Sequence, residues 1–182
     1  FSKSYHKITK SQNQKKKNCG RACKKCSTLK NNTLIFASNN QHKIEEIRSI
    51  IGDQFNVITL KEAGIDIDIP EPYDTIEANA SEKSKTIFQL TRQNCFGDDT
   101  GLEAEALNGE PGVKSARYAG DEKDFEANID KLLNKLKVID NRNAQFKTII
   151  SLIWNNEEYL FEGLIKGKII HERRGKHGFG YD

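Results

Sequence analysis

From Thr33 onward the apolar positions switch between short blocks and helical spacing, and that alternation predicts an α/β chain. Leu34-Ile35-Phe36-Ala37 is a brief apolar run between polar neighbours, the length and composition of a buried strand. Ser38, Asn39 and Asn40 then offer helix-capping side chains. Ile44, Ile47, Ile50 and Ile51 follow on one helical face, and Gly52 supplies a stop. Residues 57–60 read as a second strand. A second helix is expected to start at Asp74, with Glu77 three residues on as in a capping box, and to bury Ile76, Ala80, Ile87 and Leu90. Cys95 and Phe96 read as buried strand residues leading into a turn at 97–101. A third helix is expected near Asp124, with Phe125, Ile129, Leu132, Leu133 and Leu136 at helical spacing. Residues 146–154 and 159–170, rich in β-branched and aromatic side chains, read as long strands.

Charge changes the picture at one end. Residues 1–30 hold ten basic residues and no acidic ones, so of 29 basic and 26 acidic residues the body keeps 19 and 26, a net −7 beneath the overall +3. We therefore expect a basic, disordered extension over 1–30 and a folded domain over 31–182. Three of the four cysteines fall in the extension as Cys19-x3-Cys23-x2-Cys26. That spacing suggests a zinc knuckle, but a structural zinc site takes four ligands and the tail offers only His6 at a distance, so a flexible tail is preferred. The alternative class of function is a nucleic-acid- or zinc-binding protein driven by this tail, which requires salt-dependent binding lost on removing 1–30. An acidic body argues against nucleic acid as a partner. No apolar run approaches the roughly 20 residues of a membrane span, and the N-terminal residues lack the apolar core of a secretory signal. A cytoplasmic protein without a membrane partner is expected. With Phe1 first and no Met in 182 residues, the chain reads as a fragment at its N-terminus.

Four stretches carry candidate chemistry. Ser38-Asn39-Asn40-Gln41-His42-Lys43 joins a strand to a helix, and free amides at a helix N-terminus bind phosphates, although an ordinary cap has the same residues. Lys43 stands in the first turn, where the helix dipole disfavours a cation. Gly97-Asp98-Asp99-Thr100-Gly101 sets two carboxylates side by side, and neighbours on an extended segment point opposite ways, so one faces a cleft while the other anchors the turn. Carboxylates suit a hard cation such as Mg²⁺, and one can accept a proton from an attacking water; a surface Asx turn with a positive-φ glycine is the plain reading. Glu71, between Pro70 and Pro72, is a second candidate ligand on a stiff segment. Residues 173–182 put glycines and aromatics next to basic residues, the make-up of a base-stacking loop or of a flexible turn.

In this order the pieces resemble the inosine triphosphate pyrophosphatase family. The matching signatures are Ala37-Ser38-Asn39-Asn40-Gln41-His42-Lys43, Asp74-Thr75-Ile76-Glu77-Ala78-Asn79-Ala80 and Gly97-Asp98-Asp99-Thr100-Gly101-Leu102-Glu103. Further matches run from Ala106 to Gly120, through Arg142-x-Ala144-x-Phe146 and Phe161-Glu162-Gly163, to Gly178-Phe179-Gly180-Tyr181-Asp182. Each is common alone; the ordered set over residues 33–182 is specific. The resemblance implies an elongated α/β fold, a central mixed sheet flanked by helices with two lobes around a nucleotide-binding cleft, and a homodimer. It implies Mg²⁺-assisted hydrolysis of ITP, dITP or XTP to the monophosphate and pyrophosphate. Carried over by position, Asp99 is proton acceptor and metal ligand, and Glu71 the other ligand. Ser38, Asn39, Asn40, Gln41, His42 and Lys43 hold the triphosphate, Thr100 contributes beside Asp99, and Phe179, Gly180, Tyr181 and Asp182 line the base pocket. Lys83 is a further phosphate contact. The septum-formation type of nucleotide pyrophosphatase is the nearer alternative, and its signatures differ from these. Three departures stand out. Ala78 replaces the family's usual Glu, the basic tail has no counterpart, and the family continues into a Lys and a Ser-His-Arg signature where this chain ends. A polypeptide lacking part of the base-selecting half is therefore expected.

Overall fold

The structure, a computed structural model, describes residues 32–174 together with Gly180 and Tyr181. The cysteine cluster of the tail, Phe179 and Asp182 lie outside the described residues. So does the expected boundary at residue 30.

The described residues form one mixed sheet with helices on both faces. The strands are β1 (Thr33–Phe36), β2 (Asn56–Ile58), β3 (Cys95–Ala104), β4 (Pro111–Gly112), β5 (Asn143–Trp154) and β6 (Glu157–Lys168), and the helices α1 (Gln41–Ile51), α2 (Ile76–Thr91) and α3 (Phe125–Lys135). Their order is β2-β1-β3-β5-β6, with β4 beside β3. β1 pairs in parallel with β2 on one side and β3 on the other, as crossovers through helices require. β5 and β6 form a long hairpin whose turn, Asn155-Asn156, has φ of 51° and 69°. Two positive-φ residues in a two-residue loop match the right-handed twist of the strands they join, and asparagine tolerates that conformation better than most.

Strand alternation sorts the core by face. Leu34, Phe36 and Phe96 pack against Ile44 and Ile47 of α1 on one face, where the rings of Phe36 and Phe96 stack 4.8 Å apart. On the same face, beyond a polar interval, Leu102 packs against Leu132 and Leu136 around α3. The opposite face belongs to α2: Ile35, Cys95 and Ile153 meet Ile87, and Ile149 meets Ile76 and Ala80. Two apolar blocks thus share one face of the sheet, with the polar strand residues Asp98 and Thr100 of β3 between them.

Several expectations need correction. α2 starts one residue late because Thr75, not Asp74, caps it, its hydroxyl accepting from the Ala78 amide. Leu90 is 60% exposed and Phe125 47% exposed, since each stands at a helix end beyond the sheet. β2 stops at Ile58, and Leu60 is buried from the turn that follows. The largest correction concerns 97–101, which is no turn but the middle of the ten-residue strand β3.

Arg142 is buried and donates to three carbonyls, Leu136 at 2.7 Å, Ile170 at 2.8 Å and Ile169 at 3.0 Å. It fastens the end of α3 to the chain leaving β6. Arg142→Ala removes all three bonds, leaves the Leu136 carbonyl only its bond from the Ile139 N–H, and should lower unfolding free energy by about 2 kcal/mol in a denaturant titration. Among the described residues no helix is long and apolar enough to cross a membrane.

Candidate active site

The site begins with a gap in the sheet. β1 reaches only Cys95 and Phe96 of β3, and β4 reaches only Leu102 and Glu103. Between them, residues 97–101 carry no strand on that side among the described residues, while β5 pairs the other edge throughout. The gap opens beyond the carboxyl end of β1, where the chain crosses to α1 on one face and reaches β3 through α2 on the other. Open α/β sheets bind ligands at such a switch point.

Residues 38–43 rise from the end of β1 at this gap. Ser38 Oγ accepts from the Asn40 amide at 3.1 Å, and Asn40 Oδ1 accepts from the Lys43 amide at 3.2 Å, capping α1. Asn39 Oδ1 accepts from the Lys61 amide at 2.9 Å and so ties the loop to the turn after β2. Gln41 and His42 are exposed in the first turn. The misplaced cation has its reason across the sheet: Lys43 Nζ donates to Asp98 Oδ2 at 2.7 Å, and the Asp98 side chain is 2% exposed. A carboxylate so deeply buried needs such a partner.

Alternation puts Asp98 on the α1 face and Asp99 on the α2 face, so the two flank one open strand edge from opposite sides. Asp99 meets Lys83, whose ammonium lies 3.8 Å from Asp99 Oδ1, 2.5 Å from Glu71 Oε1 and 2.9 Å from the Asp98 carbonyl oxygen. Arg117 Nη1 donates to Glu71 Oε2 at 3.3 Å. The Glu71 segment is pinned by Asn79, which is 1% exposed; its amide accepts from the Tyr73 N–H at 3.0 Å and donates to the Tyr73 carbonyl at 3.1 Å. The Arg117 loop is held likewise by Asn128, through Ala116 and Ala119. Thr100 Oγ1 shares a 3.0 Å hydrogen bond with Thr148 on the Asp98 face.

Burial raises the Asp99 carboxyl to about 6, more than the nearby Lys83 ammonium lowers it. Burial also pushes Glu71 upward, but Lys83 and then Arg117 outweigh it and its pKa is lowered. For Lys83 burial favours the neutral form, and Asp98, Asp99 and Glu71 together overcome it, leaving the ammonium firmly charged. Glu71 is therefore a fixed anion, while Asp99 titrates near neutrality. Groups with such contrasting titration mark sites of chemistry.

Among the described residues no three or more His, Cys, Asp or Glu side chains form a metal cage. The two carboxylates Glu71 and Asp99 nonetheless converge on one cation, here the Lys83 ammonium. Hard-oxygen donors of this kind, completed by water and phosphate, fit a cation such as Mg²⁺.

Of the residues expected at the site, Glu71, Asp99 and Lys83 come together directly, and residues 38–43 and Thr100 border the same gap. Gly180 and Tyr181 stand apart, lining a cavity of about 770 Å³ with Leu102, Leu132, Leu133, Phe146 and Arg173. None of the site's charged residues lines that cavity. Tyr181 connects the regions by donating from its hydroxyl to the Ser115 carbonyl at 3.0 Å, two residues before Arg117. Sequence reasoning missed the partner of Lys43 and the position of Arg117. Lys83 carried a readable signal, because it interrupts the apolar stripe Ile76, Ala80, Ile87.

Comparison with known proteins places the chain in a family. The family profile described as the Ham1 family matches residues 34–182. A dITP/XTP pyrophosphatase of Flavobacterium psychrophilum is 50% identical over 149 residues, 82% of this chain and 78% of that protein. The solved Staphylococcus aureus Ham1 protein superposes with a TM-score of 0.75 at 44% identity, covering 82% of this chain and 78% of that one. A HAM1 protein from Coxiella burnetii gives 0.75 at 35% identity, covering 82% and 79%. Profile, sequence and fold agree over the residues that build the gap, and the chain belongs to the Ham1 family.

Proposed function

We propose that this chain is a hydrolase of nucleotide metabolism that cleaves non-standard purine nucleoside triphosphates, ITP, dITP and XTP, to the monophosphate and pyrophosphate. The observation that carries the reading is the largely buried Asp99, titrating near 6 beside Lys83 and Glu71 at a gap bordered by a phosphate-type helix start. Relatives named dITP/XTP pyrophosphatase support the substrate class.

In this mechanism the triphosphate lies along the gap. Its oxygens are met by the first-turn amides of α1, within residues 38–43, and by Lys43, and Lys83 offers a second ammonium. A water approaches the α-phosphorus in line with the bridge to the β-phosphate. Asp99 accepts the water's proton as the new P–O bond forms. The bond from the α-phosphorus to the bridging oxygen breaks, and pyrophosphate leaves with the electron pair. Glu71 and Asp99 would hold the Mg²⁺ ion, which when bound supplies charge neutralisation to the phosphate oxygens. Phe179, Gly180, Tyr181 and Asp182 receive the base, so recognition and cleavage occupy separate regions. Mg²⁺ as the metal, a homodimer and a cytoplasmic setting complete the reading.

Incubation with ITP and Mg²⁺ should release pyrophosphate and inosine monophosphate in equal amounts. EDTA should abolish the release, and excess Mg²⁺ should restore it. Orthophosphate as first product, or full activity in EDTA, would remove this function.

A further inference from the structure

We propose that Lys83 is a built-in counter-ion: its ammonium occupies the place between Glu71, Asp99 and the Asp98 carbonyl that a divalent cation takes up, and metal entry requires it to move. The inference rests on the reading of Glu71 and Asp99 as metal ligands, and adds that the protein itself competes for them.

Three hard oxygens surround one point: Glu71 Oε1 at 2.5 Å, the Asp98 carbonyl at 2.9 Å and Asp99 Oδ1 at 3.8 Å from Lys83 Nζ. The Lys83 side chain is only 12% exposed, so little water separates the charges. Its position is fixed by the fold, for Lys83 lies where α2 crosses β3 at Gly97, with its Cβ against the space a Gly97 side chain would need. An ammonium and a divalent cation share no such volume, because each repels the other strongly at that separation. Two half-buried carboxylates facing one point would repel each other without it, so the lysine offsets their charge and keeps the site shaped. The cost is weak metal binding until something anionic draws the ammonium away. A triphosphate arriving at the gap is such a group, and its arrival links metal binding to substrate binding. Lys83 then changes partner, from carboxylates to phosphate, on a flexible four-carbon stem.

The test is Mn²⁺ affinity of the nucleotide-free protein, followed by the loss of free-ion electron paramagnetic resonance signal. Lys83→Met keeps the side-chain length without the charge and should bind Mn²⁺ at least tenfold more tightly than the wild type. Lys83→Arg should remain as weak as wild type, and Lys85→Met, which removes an exposed lysine paired with Glu158 on the same helix, should change nothing. Equal affinities for Lys83→Met and wild type would overturn the proposal. Should Lys83→Met fail to fold, ¹⁵N NMR of lysine side chains in the wild type decides. The Lys83 ammonium signal should shift and lose exchange protection on Mg²⁺ addition, and an unmoved signal would overturn the idea. Neither readout needs turnover, so the proposed activity fails or succeeds separately.

Discussion

Asp99→Asn should lower pyrophosphate release by roughly 10³-fold, within the range that a positioned proton acceptor contributes. The same substitution should make the metal-free protein more stable, and that pairing identifies a functional carboxylate. The Asp99 carboxyl sits at about 6 in the folded chain against 3.8 ordinarily, and burial is the main cause. Between about pH 4 and 6 the folded state keeps a proton that the unfolded state has released. Stability conferred by that proton falls as pH rises through this window, and the full penalty of the buried charge is present above it. Two pH units correspond to somewhat under 3 kcal/mol. The attraction to Lys83 is already contained in that shift, so a net gain of about 2 kcal/mol is expected at pH 7.5 in EDTA. Below pH 4 the variant and the wild type should converge. Glu71 behaves oppositely: its pKa is lowered from 4.5, so its contribution is present above that value and is lost in more acidic solution. Denaturant titrations of both proteins from pH 4 to 8 in EDTA check the sign. A variant that is both inactive and less stable would assign Asp99 a structural role instead.

Gly97→Ala should do the reverse damage, unfolding the protein more easily and weakening catalysis together. A methyl group there would lie 2.6 Å from Lys83 Cβ, 2.9 Å from the Ala80 carbonyl oxygen and 3.0 Å from the Ser84 nitrogen. Two of these are backbone atoms of α2, so the helix must back away from β3. Overpacking of this kind costs about 1–3 kcal/mol, which in a chain of this size lowers the melting temperature by roughly 3–10 °C. Because Lys83 rides on the displaced turn, activity should fall at least tenfold even where the protein remains folded. Gly101 must be glycine for a different neighbour, the Gly112 carbonyl of β4, which leaves no room for a Cβ. A Gly97→Ala variant with unchanged melting temperature would contradict the close packing of helix and strand.

Much of the fold was legible because its signals are local. Ile44 and Ile47 face the core at the predicted spacing, and Gly52 ends α1 with φ of 59°, the conformation for which glycine is favoured there. The error at 97–101 is instructive. Gly, Asp and Thr are turn-forming residues, and nothing nearby says that Gly97 serves a helix passing overhead, that Gly101 serves the backbone of β4, or that Asp98 is paired with a cation. That information lies 55 residues away in Lys43. Likewise Glu71 was recognisable as a stiffly held carboxylate, but its partner Arg117 is 46 residues distant, and the matched stretch that contains it gave it no role. Asn79 stood within a quoted motif, yet its work of pinning Tyr73 emerges only once α2 and the proline segment are placed together. The chemistry of the site was thus visible as residue types in order, whereas its division across the two faces of β3 depends on the sheet.

The central claim is that water attacks the α-phosphorus at this gap. Hydrolysis of ITP in ¹⁸O-enriched water, with products resolved by mass spectrometry, tests it most directly. The account predicts one ¹⁸O atom in the inosine monophosphate and none in the pyrophosphate; label in the pyrophosphate, or in orthophosphate with inosine diphosphate as co-product, would contradict it.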